Sequence, residues 1–205
     1  MKIERIIAGI FILGIIGFIF YSLQGSQSSE GYLDEVAQHR EEKDKLMVTD
    51  GNPFADNPTA FNGLNYFEIN PDYRISAALT PIKEKKVVRL STNDGLENRY
   101  LEYAYAEFTL SGKKCKLLIL ELMESGPNRG TLFLAFADET SASETYGAGR
   151  YLDVKKVPGS SSILLDFNKA YNPYCAYSDK YSCPFPPKEN LLTVAIRAGE
   201  KIYPK

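Results

Sequence analysis

Histidine is almost missing from this chain. One residue, His39, among 205 leaves no multi-histidine metal centre. A Ser-His-Asp or Cys-His catalytic set would have to recruit it from a charged helix. Three cysteines, Cys115, Cys175 and Cys183, are too few for a four-cysteine zinc site, and no C-x-x-C redox motif occurs. An excess of one charge is also lacking: 24 Lys+Arg stand against 26 Asp+Glu, a net of −2. That balance offers no general attraction for nucleic acid. A Walker-type phosphate loop and a GxSxG nucleophile elbow are absent. No cofactor and no metal are expected.

One long uncharged run is present. Residues 6–23 read IIAGIFILGIIGFIFYSL. As a helix this run reaches about 27 Å at 1.5 Å per residue, close to a hydrocarbon core. Lys2 and Arg5 precede it, and positive charge stays on the cytoplasmic side, so the rest of the chain is expected outside the cytoplasm. A cleavable signal peptide has a similar layout. Here Gln24 and Gln27 follow where small residues are expected, so the run reads as an uncleaved anchor. The expected organisation is an anchor over 1–24, a linker over 25–30 and one domain over 31–205.

Residues 31–47 predict an amphipathic helix, with Tyr32, Val36, Leu46 and Met47 as its apolar positions and His39 on its charged face. Strand-like runs follow at Tyr73–Leu79, Val87–Leu90, Arg99–Leu110, Cys115–Leu122, Thr131–Phe136, Arg150–Val154, Ser162–Asp166 and Leu191–Arg197, separated by turn signals. Ser111-Gly112 is the clearest hairpin turn. In the third run Tyr100, Glu102, Ala104 and Ala106 alternate with Leu101, Tyr103, Tyr105 and Glu107, as in a half-buried strand. The β-rich part spans 60–205. The expected fold is mainly β (α+β), an antiparallel β-sandwich or open barrel.

The segment 166–190, DFNKAYNPYCAYSDKYSCPFPPKEN, holds six aromatics and four prolines. It is too broken for one strand and too aromatic for a disordered linker. It reads as a long ordered loop, the kind that often carries function. With this loop the chain shows YLDEVAQHREEKD, NPF, FNGLNYF, ETYGAGRYLD and AIRAGEK. The combination, over roughly 31–201, resembles the uncharacterised family called domain of unknown function 1684. The resemblance implies no particular chemistry.

Candidate site residues concentrate where 144–153 meets 166–190. Gly147 and Gly149 either open backbone amides to an anion beside Arg150 or simply turn the chain into a strand. Asp138, Glu144, Asp153 and Asp166 supply either a carboxylate pair for hydrolysis or ion pairs and turn caps. Asn168, Asn172 and Asn190, with Tyr146, Tyr171 and Tyr177, line a polar aromatic pocket or pin the loop to itself. Arg150 is the central candidate, facing an anionic ligand group or clamping Glu144 or Asp166. Cys175 and Cys183 would form a disulfide in an oxidising compartment and stay thiols otherwise; Cys115 reads as core. Three functions fit: a module binding a small polar ligand or an envelope partner, a two-carboxylate hydrolase, or a purely structural envelope protein.

Overall fold

The computed structural model describes residues 30–123 and 130–204. The expected anchor and nearly all of the expected linker lie outside them. Among the described residues no helix is long and apolar enough to cross a membrane. The chain divides into two compact units, 1–41 and 42–205. Helix α1 covers 30–46, so the expected helix is one residue out of step.

Among the described residues the second unit carries seven strands: β1 (Arg74–Pro81), β2 (Val87–Ser91), β3 (Glu97–Leu110), β4 (Lys113–Leu122), β5 (Leu132–Phe136), β6 (Arg150–Leu152) and β7 (Ser162–Asp166). They form one antiparallel sheet in the order β6-β5-β4-β3-β1-β7, with β2 also paired to β3. The fold is therefore mainly β, an open curled half-barrel. The sandwich alternative is corrected, because the strands make a single sheet.

β3 is the spine. At 14 residues it is long enough to share one edge between two partners, β2 along 97–101 and β1 along 104–107. The β3–β4 turn is the expected Ser111-Gly112 hairpin, with φ 51° and 76°. Positive φ at both central residues matches the right-handed strand twist. The strict alternation expected in β3 fails at one point. The register with β4 shifts between Glu102 and Ala104. Before this bulge Tyr100 packs with Leu118 and Leu120 on one face; after it Tyr105 takes that face, while Ala106 and Phe108 join the opposite core. An extra residue swaps the two faces of everything beyond it.

The larger core gathers Leu117, Ile119, Leu134, Phe136, Leu165 and Phe167 under Val194, Ile196 and Ala198 from the C-terminal segment. Cys115 belongs to this core, as expected. The eighth expected strand, Leu191–Arg197, is not one. It has an isolated bridge from Leu191 to Ala137, and side chains take much of its backbone. Ile196 N–H donates to Asp138 Oδ1, and the carbonyl of Thr193 accepts from Lys113 Nζ. Its apolar pattern reflects packing onto the sheet, with no ladder of its own.

Candidate functional site

Arg150 opens β6 with its side chain 1% exposed. Nη2 donates to Asp138 Oδ2 at 2.8 Å and to the carbonyl of Ile196 at 2.8 Å. Nη1 donates to the carbonyls of Ala198 and Glu200. Burial pushes the guanidinium pKa down and the Asp138 carboxylate pulls it back up. Asp138 Oδ1 accepts from Thr140 N–H at 2.8 Å and Thr140 Oγ1 at 2.6 Å. Arg150 thus ties the C-terminal segment to β6. Its clamp partner is Asp138; Glu144 and Asp166 pair elsewhere.

The other carboxylates also have separate partners. Glu144 takes both Nε and Nη2 of Arg197 at 2.8–3.0 Å. Asp153 accepts from the Tyr171 hydroxyl at 2.8 Å. Asp166 caps the turn at Phe167, accepting from Asn168 N–H, with Lys169 Nζ 3.9 Å away. Gly149 donates its N–H to the Tyr146 carbonyl, closing a turn into β6.

Three buried asparagines stitch backbone. Asn168 exchanges two hydrogen bonds with the main chain of Asn70 at 2.8–2.9 Å. Asn172 Nδ2 donates to the Lys201 carbonyl. Asn190 accepts from Leu118 N–H at 2.6 Å and donates to the carbonyls of Leu118 and Ala135. It acts as a piece of ladder between β4 and β5, whose own register covers only Leu120–Phe133 and Glu121–Leu132. Cys175 and Cys183 are both buried and adjacent, with Cys175 N–H donating to Cys183 Sγ at 3.2 Å. The Tyr146 hydroxyl lies 3.9 Å from Cys175 Sγ.

Among the candidates, Tyr177 lines an open cleft. This cleft encloses about 650 Å³. Its floor is aromatic: Phe54, Tyr177 and Tyr203 are half-buried, with ring centroids 5.3–6.2 Å apart. Its rim holds Asn62, Asn65 and Asp179, all exposed. Neither rim amide is used by another side chain or backbone group among the described residues.

A buried polar chain lies behind the floor. The Tyr177 hydroxyl donates inward to Glu200 Oε2, which also accepts from Asn172 N–H at 2.9 Å. Glu200 is 1% exposed, and its Oε1 meets Lys43 Nζ at 2.9 Å. Lys43 also sits 3.7 Å from the centroid of the Tyr171 ring. Burial pushes the Lys43 pKa down against the pull of Glu200. Because its hydroxyl is anchored inward, Tyr177 presents ring surface to the cleft. Sequence reasoning missed Phe54, Asn62, Asn65, Glu200 and Lys43. All five lie in NPF, FNGLNYF, AIRAGEK and YLDEVAQHREEKD, so motif membership was the available signal where local composition was silent.

Burial, first among the causes, raises the phenols of Tyr146, Tyr151, Tyr171, Tyr174 and Tyr177; Tyr146 is pushed up to about 12. An acid raised in the folded state stabilises fully below its unfolded pKa and loses that contribution as pH rises through the folded value. The unfolded value for tyrosine is about 10. These five tyrosines are therefore expected to ionise later than exposed ones, and Tyr151, Tyr171 and Tyr177 only with unfolding. In a base titration, part of the tyrosinate absorbance should appear together with the loss of circular dichroism. Complete ionisation of all tyrosines near pH 10 with native dichroism retained would contradict this.

Comparison with known proteins adds the lineage. The model of the family described as "Protein of unknown function (DUF1684)" matches residues 59–201. A solution NMR structure of an uncharacterised protein from Haloarcula marismortui is 36% identical, with a TM-score of 0.66, covering 85% of this chain and 96% of that one. No curated protein matches. The matched span holds all seven strands, Arg150 with its clamp, and most of the cleft, and the chain belongs to the DUF1684 family.

Proposed function

We propose that this protein is a membrane-tethered, extracytoplasmic module that binds a small polar ligand in the cleft floored by Phe54, Tyr177 and Tyr203. The observation that carries the reading is the cleft itself: about 650 Å³ with an aromatic floor, two uncommitted amides and a single lining carboxylate. That volume and mixed lining suit a small molecule. A two-carboxylate hydrolase needs its pair in one cleft, whereas Asp138, Glu144, Asp153 and Asp166 each serve a different partner. A purely structural loop would leave no cleft of this size to explain.

The test is mass spectrometry of small molecules that co-purify with the full chain and with Tyr203→Ala. A compound enriched with the former and lost from the latter is the expected result. No retained compound, together with no cleft amide shifting in NMR against a metabolite mixture, would overturn the reading. The tether rests on the uncharged run at 6–23 behind Lys2 and Arg5. A C-terminal reporter should be active only outside the cytoplasm; activity confined to the cytoplasm would refute that placement.

A further inference from the structure

The class of ligand follows from what the cleft offers and withholds, granted that the cleft is a binding site as proposed above. We infer that it takes a neutral polyhydroxylated ligand of carbohydrate type, of mono- or disaccharide size. Among the described residues no lysine or arginine lines the cleft, so none of them offers an anion a cationic partner. The nearby Lys180 pairs with Asp56 at 2.5 Å. A quaternary ammonium fits poorly for a different reason. The rings of Phe54, Tyr177 and Tyr203 pack against each other with centroids 5.3–6.2 Å apart, so no gap remains between them for a cation to be caged. Its ammonium centre also has no N–H to donate and would desolvate Asn62 and Asn65 without return.

A sugar answers each feature. Its C–H face lies on an aromatic surface, which Tyr177 supplies because Glu200 holds the hydroxyl away from the cleft. Its hydroxyls donate and accept at once, matching amides that do both and a carboxylate that accepts. Glu200 and Lys43 touch no ligand in this scheme; they are positioning residues that keep the Tyr177 ring turned outward.

The experiment is saturation-transfer NMR and calorimetry on the full chain in a non-glycosidic detergent. The probes are cellobiose, N-acetylglucosamine, inorganic phosphate and choline. At least one of the two sugars is expected to bind, with transfer strongest at its ring C–H protons. Binding should weaken roughly tenfold in Tyr203→Ala and clearly in Asn62→Ala. The second variant changes an exposed side chain with no internal hydrogen bond, so it tests the rim without threatening the fold. Binding of phosphate or choline alone, displaced by neither sugar, would overturn the carbohydrate class and leave the cleft as a binding site. Sugar binding unchanged in both variants would overturn the placement. No binding of either sugar would overturn the class. The co-purification and metabolite-mixture tests separately decide whether the cleft binds anything.

Discussion

Asp138→Ala should destabilise the protein by about 3–5 kcal/mol, the usual cost of removing one partner from a buried ion pair. The reason is what remains. Arg150 would keep its charge at 1% exposure without its directly bonded carboxylate, facing the carbonyls of Ile196, Ala198 and Glu200. Thr140 N–H and Ile196 N–H would lose their acceptor at the same time. At roughly 2–4 °C per kcal/mol for a chain of this size, the melting temperature should fall by about 6–20 °C. Asp138→Asn keeps an acceptor oxygen and should cost less. Arg150→Lys should also destabilise, since one ammonium cannot reach four acceptors spread across a guanidinium fork. Urea denaturation with a matched dichroism melt measures all three. If Asp138→Ala stays within about 1 kcal/mol of the parent, the clamp is not the structural tie described here.

Gly149→Ala is expected to be as damaging, by another route. Gly149 has φ +89°, and an added Cβ would stand 2.5 Å from the Phe136 carbonyl oxygen and 2.7 Å from Pro186 Cγ. The left-handed conformation alone costs a side-chain residue about 1–2 kcal/mol. The contact with the Phe136 carbonyl adds more, because that oxygen belongs to β5, whose register with β6 pairs Phe136 with Arg150. Relief would require β6 to move off β5 and drag Arg150 from Asp138. Gly112→Ala separates the two contributions: φ is +76° and nothing lies within 4 Å of its Cβ. Gly149→Ala should therefore exceed Gly112→Ala by about 2 kcal/mol or more in chemical denaturation. Equal losses in the two variants would show that the β5–β6 approach is not tight.

Seven of the strands were legible because each is written in local periodicity and bounded by turn residues. The Ser111-Gly112 hairpin was legible for the same reason. The bulge at Glu102/Ala104 was not: a one-residue offset leaves no mark on a strand rich in aromatics and alanine, and only pairing with β4 exposes it. Leu191–Arg197 misled because its apolar residues do face a core, but its backbone splits between a few bonds to 137–139 and side chains from elsewhere at Thr193 and Ile196. Arg150 stood out by its setting, yet its role depended on Ile196, Ala198 and Glu200, nearly fifty positions away.

The sequence by itself determined the mainly-β class, the family, the small number of available chemistries and the prominence of the proline- and tyrosine-rich loop. Those features rest on composition, short-range pattern and motif content. Tertiary structure alone decided which of those side chains are structural and which face open space. It buried Arg150, Asn168, Asn172 and Asn190 as hydrogen-bonding ties. It also brought Phe54, Asn62 and Asn65 from before the sheet against Tyr177, Asp179 and Tyr203 from after it. The physical reason is burial: a polar side chain enclosed in the fold must satisfy its hydrogen bonds there. Which residues are enclosed depends on contacts across tens of positions, up to 98 for Asn168 and Asn70, and no local pattern encodes them.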